Sequence, residues 1–413
     1  MIFQRQKLFL IVALTGALLS ADAEILDRPG GIKIGQRMTL RPYVSFSASY
    51  DSNVGSRNSD AEGDLMWTIS PTLGLSYNAE TWSLLLNGYY NYNAYAKGSN
   101  NEHNQHSYGQ DLRWNWESSG GDEKGWSLVL GETFRQITMA DDMTLADGRG
   151  YTADSRQIQL SGALQRRFGN NWHGDINGSY YWLDYMNDTT QYNSFYGWQR
   201  WTVGAEVGYA ASRWTDILIS GAYQGFQQDN AKASEIGDGS QGYTLQVGLG
   251  SYMTERISYR ALAGWSRFEY GDSSSSSDGF VYTISGNWKI GETWNTMLLA
   301  TSYYTPSERQ SNSQSRNDAV SWGLAKTMIQ NKLRATLDLQ YRHETIEHAV
   351  SSGYDYGLDI VTGRIGFSYS LNRFLSLFVN GEYQRSFNDE SDSRNGAYDY
   401  DRWRITGGFT VSY

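Results

Sequence analysis

The sequence predicts an all-β protein, a transmembrane antiparallel up-and-down β-barrel of about 18 strands, with a range of roughly 16–20. Segments in which apolar and polar residues alternate recur from residue 37 to the C-terminus. Alternation with a period of two marks a strand that has one apolar and one polar face. The connections are alternately short turns and longer loops rich in Ser, Asp, Asn and Gly. Short periplasmic turns and longer extracellular loops are typical of barrels in the bacterial outer membrane.

The composition agrees with this fold class. Aromatic residues make up 15% of the chain and 44 residues are Gly, whereas only 4 are Pro, a balance that suits many strands with belts of aromatic side chains. The mean hydropathy of −0.57 is too low for a helical membrane protein. The formal net charge of −10 and the lack of a basic patch argue against a nucleic-acid partner. The absence of Cys suits an exported bacterial protein.

Residues 1–23 are predicted to be a secretory signal peptide. Arg5 and Lys7 precede an apolar run of roughly a dozen residues, and an A-x-A cleavage site ends at Ala23. The apolar run is shorter than the about 20 residues that a membrane-spanning helix needs. The sequence therefore predicts export of a mature chain that begins after residue 23.

The remaining chain is predicted to be a single barrel domain, residues 37–413, preceded by a short periplasmic lead-in, residues 24–36, that lacks the alternation. An even number of strands would return the C-terminus to the periplasm. The alternation is poorest over Ser127–Thr138 and Trp294–Tyr304. A soluble β-propeller would share the Gly- and Trp-rich strands, but it needs a repeating blade motif that the sequence lacks.

The last strand, Asp401–Tyr413, alternates strictly between apolar and polar residues. Its apolar face ends with Phe409, Val411 and Tyr413. An amphipathic final strand that ends on an aromatic residue resembles the closing strand of outer-membrane barrels. These three residues are therefore predicted to form the membrane-insertion signal that the barrel assembly machinery recognises.

A barrel of this size is too wide for side chains to fill, and it normally encloses a water channel. The densest charges of the predicted inner face lie on the closing strands, with Arg41 on the first strand beside them. The pore-lining candidates are Arg41, Arg334, Asp338, Arg342, Arg364, Glu382, Arg402 and Arg404. Those expected to share the outer half of the bore are Arg342, Glu382, Arg402 and Arg404. They form either a charged constriction that selects solutes or a salt-bridged lining that holds the wall.

Three tyrosines, Tyr43, Tyr89 and Tyr181, are predicted to point inward, where a sugar could stack on their rings. The chain has 31 Tyr, so chance placement explains them equally well. None of the longer loops exceeds roughly a dozen residues, whereas general porins narrow their bore with a long inward loop. The bore is therefore expected to be wide, or to be gated by a partner from the periplasmic side.

The sequence offers little chemistry, and no catalytic residue, metal site or cofactor is predicted. His103 and His106 could form a metal-binding pair, although a solvated loop explains them better. His343 and Asp141 are expected near the outer rim, where a barrel protease would place its acidic and His residues. The chain is not predicted to be an enzyme.

The opening strand Arg41–Val54, RPYVSFSASYDSNV, resembles the start of the β-barrel porin 2 family. Members of that family begin with a Pro-containing strand that runs into a Tyr-Asp-x-Asn-(Val/Ile) segment, and the likeness in pattern extends over the mature chain. The resemblance implies an outer-membrane barrel associated with exopolysaccharide secretion, used together with a periplasmic polysaccharide export protein. It supplies no catalytic residues.

The expected function is thus an outer-membrane channel that passes a carbohydrate polymer outward. The expected partners are outer-membrane lipid, the barrel assembly machinery, a periplasmic export protein and the carbohydrate or small-solute cargo. Three alternatives stay open: a general or sugar-selective diffusion porin, a barrel enzyme, and a structural or adhesive surface barrel.

Overall fold

The computed structural model is a closed ring of 18 antiparallel strands with one extra short strand at its start. It describes residues 31–54, 61–97, 104–118, 125–144, 150–168, 171–185, 197–229, 239–254, 256–270, 276–306, 313–329, 332–348, 356–388 and 399–413. Each strand of the ring bonds to the next along the chain, and the last bonds to the first. This confirms the predicted all-β barrel. The predicted signal peptide lies outside the described residues.

The ring strands are 13 to 19 residues long, whereas about 9–11 tilted residues cross the hydrocarbon core of a bilayer. None of the helices in the described ranges is long and apolar enough to cross a membrane. The strands are β1 (Ile32–Ile34), β2 (Met38–Asp51), β3 (Asp64–Asn78), β4 (Trp82–Tyr95), β5 (Asn104–Glu117), β6 (Trp126–Thr144), β7 (Gly150–Phe168), β8 (Trp172–Tyr185), β9 (Gly197–Ala210), β10 (Asp216–Asp229), β11 (Ser240–Thr254), β12 (Ile257–Tyr270), β13 (Ser276–Ile290), β14 (Trp294–Pro306), β15 (Ser313–Met328), β16 (Leu333–His348), β17 (Tyr356–Ser370), β18 (Leu375–Asn388) and β19 (Tyr400–Ser412).

Part of the predicted lead-in forms the extra strand β1. β1 pairs with β2 over Met38–Leu40, next to the stretch from Tyr43 to Asp51 that β19 covers. It therefore continues the ring along the edge of β2 that the closing strand leaves free. A strand of three residues is too short to show a period in the sequence.

The outer face of the barrel is apolar. Exposed Leu, Ile and Val side chains form a band around the middle of the strands, between two belts of exposed aromatic side chains. The belt on the side of the longer connections consists of Tyr50, Trp67, Tyr90, Tyr108, Trp201, Tyr223, Tyr243, Trp265, Phe280, Tyr341, Tyr383 and Trp403. The belt on the side of the short turns consists of Trp82, Trp126, Phe168, Trp172, Tyr209, Trp214, Trp288, Phe374 and Tyr413.

These features place the barrel in the bacterial outer membrane, as the sequence predicts. An apolar band with an aromatic belt at each headgroup level matches a lipid bilayer. A ring of strands satisfies the backbone hydrogen bonds that lipid cannot satisfy. The short turns then lie in the periplasm, and the longer connections lie outside the cell.

The ring is wide enough to enclose a channel. Strands about 4.8 Å apart and tilted by about 40° give 18 strands a circumference of roughly 110 Å, and hence a backbone diameter of roughly 36 Å. Inward side chains alone do not fill a ring of this width.

The wall departs from the regular ring between β13 and β14. β13 and β14 pair only up to Thr283 and Thr301, although both strands continue towards the extracellular end. β13 stays paired with β12 up to Ser276, and β14 stays paired with β15 up to Pro306. Beyond Thr301, the described part of β14 therefore follows β15 and leaves β13.

The end of β14 lies inside the barrel. Tyr304 is buried against Phe268 and Val281, which belong to the inner faces of β12 and β13. The Nε2 of Gln224 on β10 donates a hydrogen bond to the backbone carbonyl of Tyr304 over 3.2 Å. A strand end, rather than the long loop of general porins, thus enters the bore at this level.

Candidate functional site

A row of alternating charges crosses the inner wall where the first and last strands meet. Neighbouring members of this charge row are register partners on adjacent strands. In order from β16 to β2, the charge row is Asp338, Arg364, Glu382, Arg404 and Asp51. All five side chains occupy the inward positions of their strands, because the exposed apolar residues occupy the other positions.

Arg364 holds the first half of the charge row together. Its Nε lies 2.6 Å from Oε2 of Glu382, and its Nη1 lies 3.7 Å from Oδ1 of Asp338. The arginine is about one-third exposed, so water and solutes in the bore reach the pair. These residues therefore combine a structural contact with a charged surface that faces the lumen.

Asp51 holds the other half, and it binds two arginines of the closing strand. Arg402 donates from Nε to both carboxylate oxygens at 3.0 Å and from Nη2 to Oδ2 at 2.6 Å. Arg404 donates from Nη2 to Oδ2 over 2.8 Å. Asp51 and Arg402 are buried, and bidentate arginine–carboxylate pairs are among the strongest hydrogen bonds in proteins. This cluster locks β2 to β19.

The residues that carry the family resemblance, Tyr50–Val54, serve the same closure. Ser52 donates its backbone N–H to the carbonyl of Trp403 and accepts the N–H of Trp403 on its hydroxyl. Asn53 donates its side-chain amide to the carbonyl of Asp401 over 3.2 Å. The rings of Tyr50 and Trp403 lie 5.0 Å apart. The motif thus has a structural role in this chain that is independent of any cargo.

The remaining pore-lining candidates lie apart from the charge row. Arg41 is near the periplasmic start of β2 and bonds Ser76 over 2.9 Å, so the expectation that it lies beside the closing charges is wrong. Arg334 lies near the periplasmic start of β16. Arg342 is in the extracellular half, as expected, but its nearest carboxylate is Glu344 at 3.9 Å. Sequence order could not fix these heights, because they depend on where each strand starts.

The three tyrosines occupy inward positions, as their register predicts, but two of them pack on neighbouring groups. The ring of Tyr181 stacks on Trp198 with 4.8 Å between centroids. The hydroxyl of Tyr89 occupies the space that a side chain at Gly109 would need, since a Cβ there would lie 2.5 Å away. Tyr43 faces inward on β2. Their role in sugar stacking stays a prediction.

An inward aromatic cluster on three adjacent strands was not predicted from the sequence. Trp198 on β9 contacts both Tyr181 on β8 and Phe226 on β10, with centroids 4.8 and 5.5 Å apart. Arg200 lies over Trp198 at 5.6 Å. These three rings, called here the inner aromatic cluster, interrupt an otherwise polar face. The sequence contains a signal for this cluster, because each of the three aromatic residues stands on the mostly polar, inward face of its strand.

An ion pair in the periplasmic half was not predicted either. Glu206 on β9 bonds Arg260 on β12, although two strands lie between them. Inner positions of the intervening β11 carry Gly248 and Gly250, and Leu218 of β10 occupies the space beside Gly250. Because these glycines have no side chains, Arg260 can extend along the inner surface of the wall towards β9. Residues three strands apart give no local sequence signal.

The residues named for a barrel enzyme do not form an inward site. His343 bonds Asp359 through Nδ1 over 2.9 Å, and the Tyr341 hydroxyl donates to the same carboxylate. All three stand at outward positions of their strands. His103 and the side chain of Asp141 lie outside the described residues. Over the described ranges, no group of three His, Asp or Glu residues is arranged to hold a metal ion.

The residues of the predicted insertion signal lie on the outer face of β19. Phe409, Val411 and Tyr413 are all exposed, and Phe409 packs on Phe46 with 5.6 Å between ring centroids. The surface that they present is the apolar one that the sequence predicts. Recognition by the assembly machinery stays a prediction.

Part of the chain matches a known protein family. Residues 31–201 match the family described as "Putative MetA-pathway of phenol degradation", which covers less than half of the chain. The exopolysaccharide-associated family that the opening strand resembles is not confirmed. No curated protein is significantly similar to the chain.

Solved barrels resemble the fold at low identity. The FrpB iron transporter of Neisseria meningitidis (F3-3 variant) is 9% identical with a TM-score of 0.48, over 90% of this chain and 66% of that one. The outer membrane protein OpdK of Pseudomonas aeruginosa is 12% identical with a TM-score of 0.42, over 91% and 99%. The siderophore receptor PirA of Pseudomonas aeruginosa is 8% identical with a TM-score of 0.44, over 92% and 81%.

The ring, its apolar exterior and its charged inner wall define the class of this protein. It is a β-barrel of the bacterial outer membrane.

Proposed function

We propose that the protein is a passive channel for small solutes across the outer membrane. The observation that carries this proposal is a closed ring of 18 strands whose inner wall bears a charge row in which Arg364 and Arg404 are about one-third exposed. Charged rings on the wall of a wide pore are a common basis of solute selection.

The charge row is expected to select solutes by their polar groups, without a strong preference for cations or anions. The charge row holds two arginines, Arg364 and Arg404, and three carboxylates. Arg402, which also binds Asp51, brings the local charge into balance. A balanced pattern leaves little net charge for an ion to sense. It does present donors and acceptors side by side to a polar solute.

The extracellular half favours small cargo, and aromatic cargo in particular. The end of β14 lies in the bore beside Phe268, and the inner aromatic cluster lines β8–β10. Trp198 at the centre of this cluster is buried, whereas Tyr181 and Phe226 are partly exposed and offer stacking surfaces to aromatic solutes. The partial match to a family described by phenol degradation supports the same class of solute.

Export of an exopolysaccharide, the function expected from the sequence, is the second candidate. The inward positions of Tyr43, Tyr89 and Tyr181 support it, because sugars stack on aromatic rings. The strand end in the bore favours small solutes over a polymer, since a polymer needs a continuous wide path.

Liposome swelling with the reconstituted chain tests the choice. Small solutes such as benzoate or glucose are expected to enter and swell the liposomes, whereas oligosaccharides are expected to be excluded. Entry of long oligosaccharides at a comparable rate would contradict the small-solute channel and favour polymer export. Protein-free liposomes and liposomes that carry heat-denatured chain serve as controls.

A further inference from the structure

We propose that the barrel wall contains a lateral passage between β13 and β14, through which small apolar solutes move between the lumen and the outer leaflet of the membrane. This inference rests on the proposed channel function and adds a second exit to it. It is carried by a break in strand pairing, by the position of the β14 end, and by the chemistry of the residues at the break.

The break in pairing between β13 and β14 lies in the extracellular half of the wall. The last register pair of β13 and β14 is Thr283 with Thr301. Above it, β13 pairs with β12 only, and β14 pairs with β15 only. The facing edges of these two strands are thus not bonded to each other within the described residues.

The two strand edges overlap. The extracellular ends of β12 and β13 lie on the membrane side of the overlap and are called here the outer lip. The end of β14 lies behind them, on the lumen side, and is called here the inner lip. Tyr304 of the inner lip packs on Phe268 and Val281 of the outer lip. Its hydroxyl occupies the space that a side chain at Gly279 would need. The contact between the lips is therefore a small apolar cluster rather than a ladder of backbone hydrogen bonds.

The overlap lies at the depth of the membrane. Phe280 on β13 and its register partner Trp265 on β12 point outward and are 53% and 54% exposed. Both belong to the extracellular aromatic belt, so the unbonded edge of β13 begins inside the apolar band. Lipid does not satisfy backbone polar groups, and such an edge is tolerated where it lines a cavity or is covered by protein.

The lining of the overlap suits a small, mostly apolar molecule, with or without one polar group. Phe268, Val281 and Tyr304 supply apolar surface. Ser302 is buried, and its Oγ has no hydrogen-bond partner among the described residues. A phenolic hydroxyl would supply such a partner while its ring replaced Tyr304 in the apolar cluster.

An outward ion pair borders the same place. Asp318 is the register partner of Ser302 on the inner lip, and its Oδ2 lies 3.1 Å from Nε of Arg316. On a regular wall, this outward position would face lipid, where charges are costly. Arg316 also lies 6.0 Å from the centre of the Tyr304 ring, so the ion pair borders the contact between the two lips.

The lateral passage can be tested by locking the lips together. The chain contains no Cys, so Val281→Cys with Tyr304→Cys introduces a single disulfide across the overlap. The matched control is Thr244→Cys with Ser266→Cys, whose hydroxyls lie 2.8 Å apart within the paired wall of β11 and β12. Folding of each variant is checked by heat-modifiable gel mobility.

Two quantities are measured for the oxidised and reduced forms of each pair. The first is uptake of radiolabelled naphthalene by cells of a Gram-negative host that lacks its own general porins. The second is KCl conductance in planar bilayers. The oxidised lock is expected to lower naphthalene uptake severalfold, with recovery on reduction and unchanged conductance. The control pair is expected to show no redox effect.

Other outcomes overturn the inference in distinguishable ways. Equal uptake by the oxidised and reduced lock, with conductance present, overturns the lateral passage alone. Equal loss of uptake and conductance places both solutes on the axial path and also overturns it. Absence of both activities in the unmodified chain overturns the proposed channel as well.

A second variant tests the passage without a disulfide. Tyr304→Ala removes the ring that packs between the two lips and is expected to raise naphthalene uptake. Tyr304→Phe keeps the ring and is expected to leave the uptake unchanged.

Discussion

Asp51 is the residue on which closure of the ring depends most. It accepts hydrogen bonds from both Arg402 and Arg404. Asp51 and Arg402 are both buried and nearly inaccessible to water. Removing one partner of a buried ion pair leaves an uncompensated charge, which costs far more than the pair contributes. The first and last strands thus meet at a contact that tolerates little change.

Asp51→Asn is therefore expected to lower the free energy of unfolding by about 3–5 kcal/mol, because two arginines lose their carboxylate. Urea unfolding of the barrel in lipid vesicles, followed by tryptophan fluorescence, measures the change. Asp401→Asn is the matched control, since the Asp401 side chain is 63% exposed in its pair with Arg385. Exposed pairs contribute about 1 kcal/mol or less. Equal effects of the two substitutions would contradict the closing role of Asp51.

The faces of individual residues were predictable, whereas their neighbours were not. Tyr43, Tyr89 and Tyr181 face inward as expected, because a period of two assigns a face without knowledge of the fold. The pairing of Arg404 with Asp51 depends on the register between the two ends of the chain. Register is fixed by turns and by closure of the whole ring, so no local pattern reveals it.

At the scale of strands, the charge row acts as one element across β16–β19 and β2. Arg364 stands between Asp338 and Glu382, at 3.7 and 2.6 Å from their oxygens. Its positive charge compensates two carboxylates that line the same water-accessible wall. The ionic preference of the bore is thus tied to this arginine.

Arg364→Gln is expected to shift the bore towards cations, because both neighbouring carboxylates then face the lumen without their counter-charge. The reversal potential across a bilayer with a KCl gradient measures the shift. Arg373→Gln, on the exposed turn between β17 and β18, removes the same charge outside the bore and is expected to leave the potential unchanged. An unchanged potential for Arg364→Gln would mean that the charge row does not sense permeant ions.

The departure of β14 from β13 could not be predicted from the sequence of the strand. The alternation is poor over Trp294–Tyr304, and this is the strand that leaves its neighbour and enters the bore. Tyr304 stands at an outward position, yet it packs on the inward face of β13. An outward apolar residue that packs on protein cannot be distinguished in the sequence from one that contacts lipid. The irregular pattern was visible, but its structural meaning was not.

The whole molecule combines a rigid outer ring with a partly occupied bore. Nearly all ring strands pair along their length, which gives the wall its closure. The inner aromatic cluster and the β14 end occupy the extracellular half on one side, and the charge row lies on the other. A solute that crosses the bore meets rings on one wall and charges on the opposite one, an arrangement that suits small aromatic acids.

The most direct test of the channel is single-channel recording of the full chain refolded into a planar bilayer. Stable openings are expected in KCl, because the ring is roughly 36 Å wide between backbones and water reaches its charged wall. Added benzoate is expected to interrupt the openings more often than glucose at equal concentration, since only the aromatic acid engages both the rings and the arginines. A correctly folded chain that gives no openings would contradict the channel itself. Openings that benzoate does not interrupt would contradict the proposed aromatic cargo.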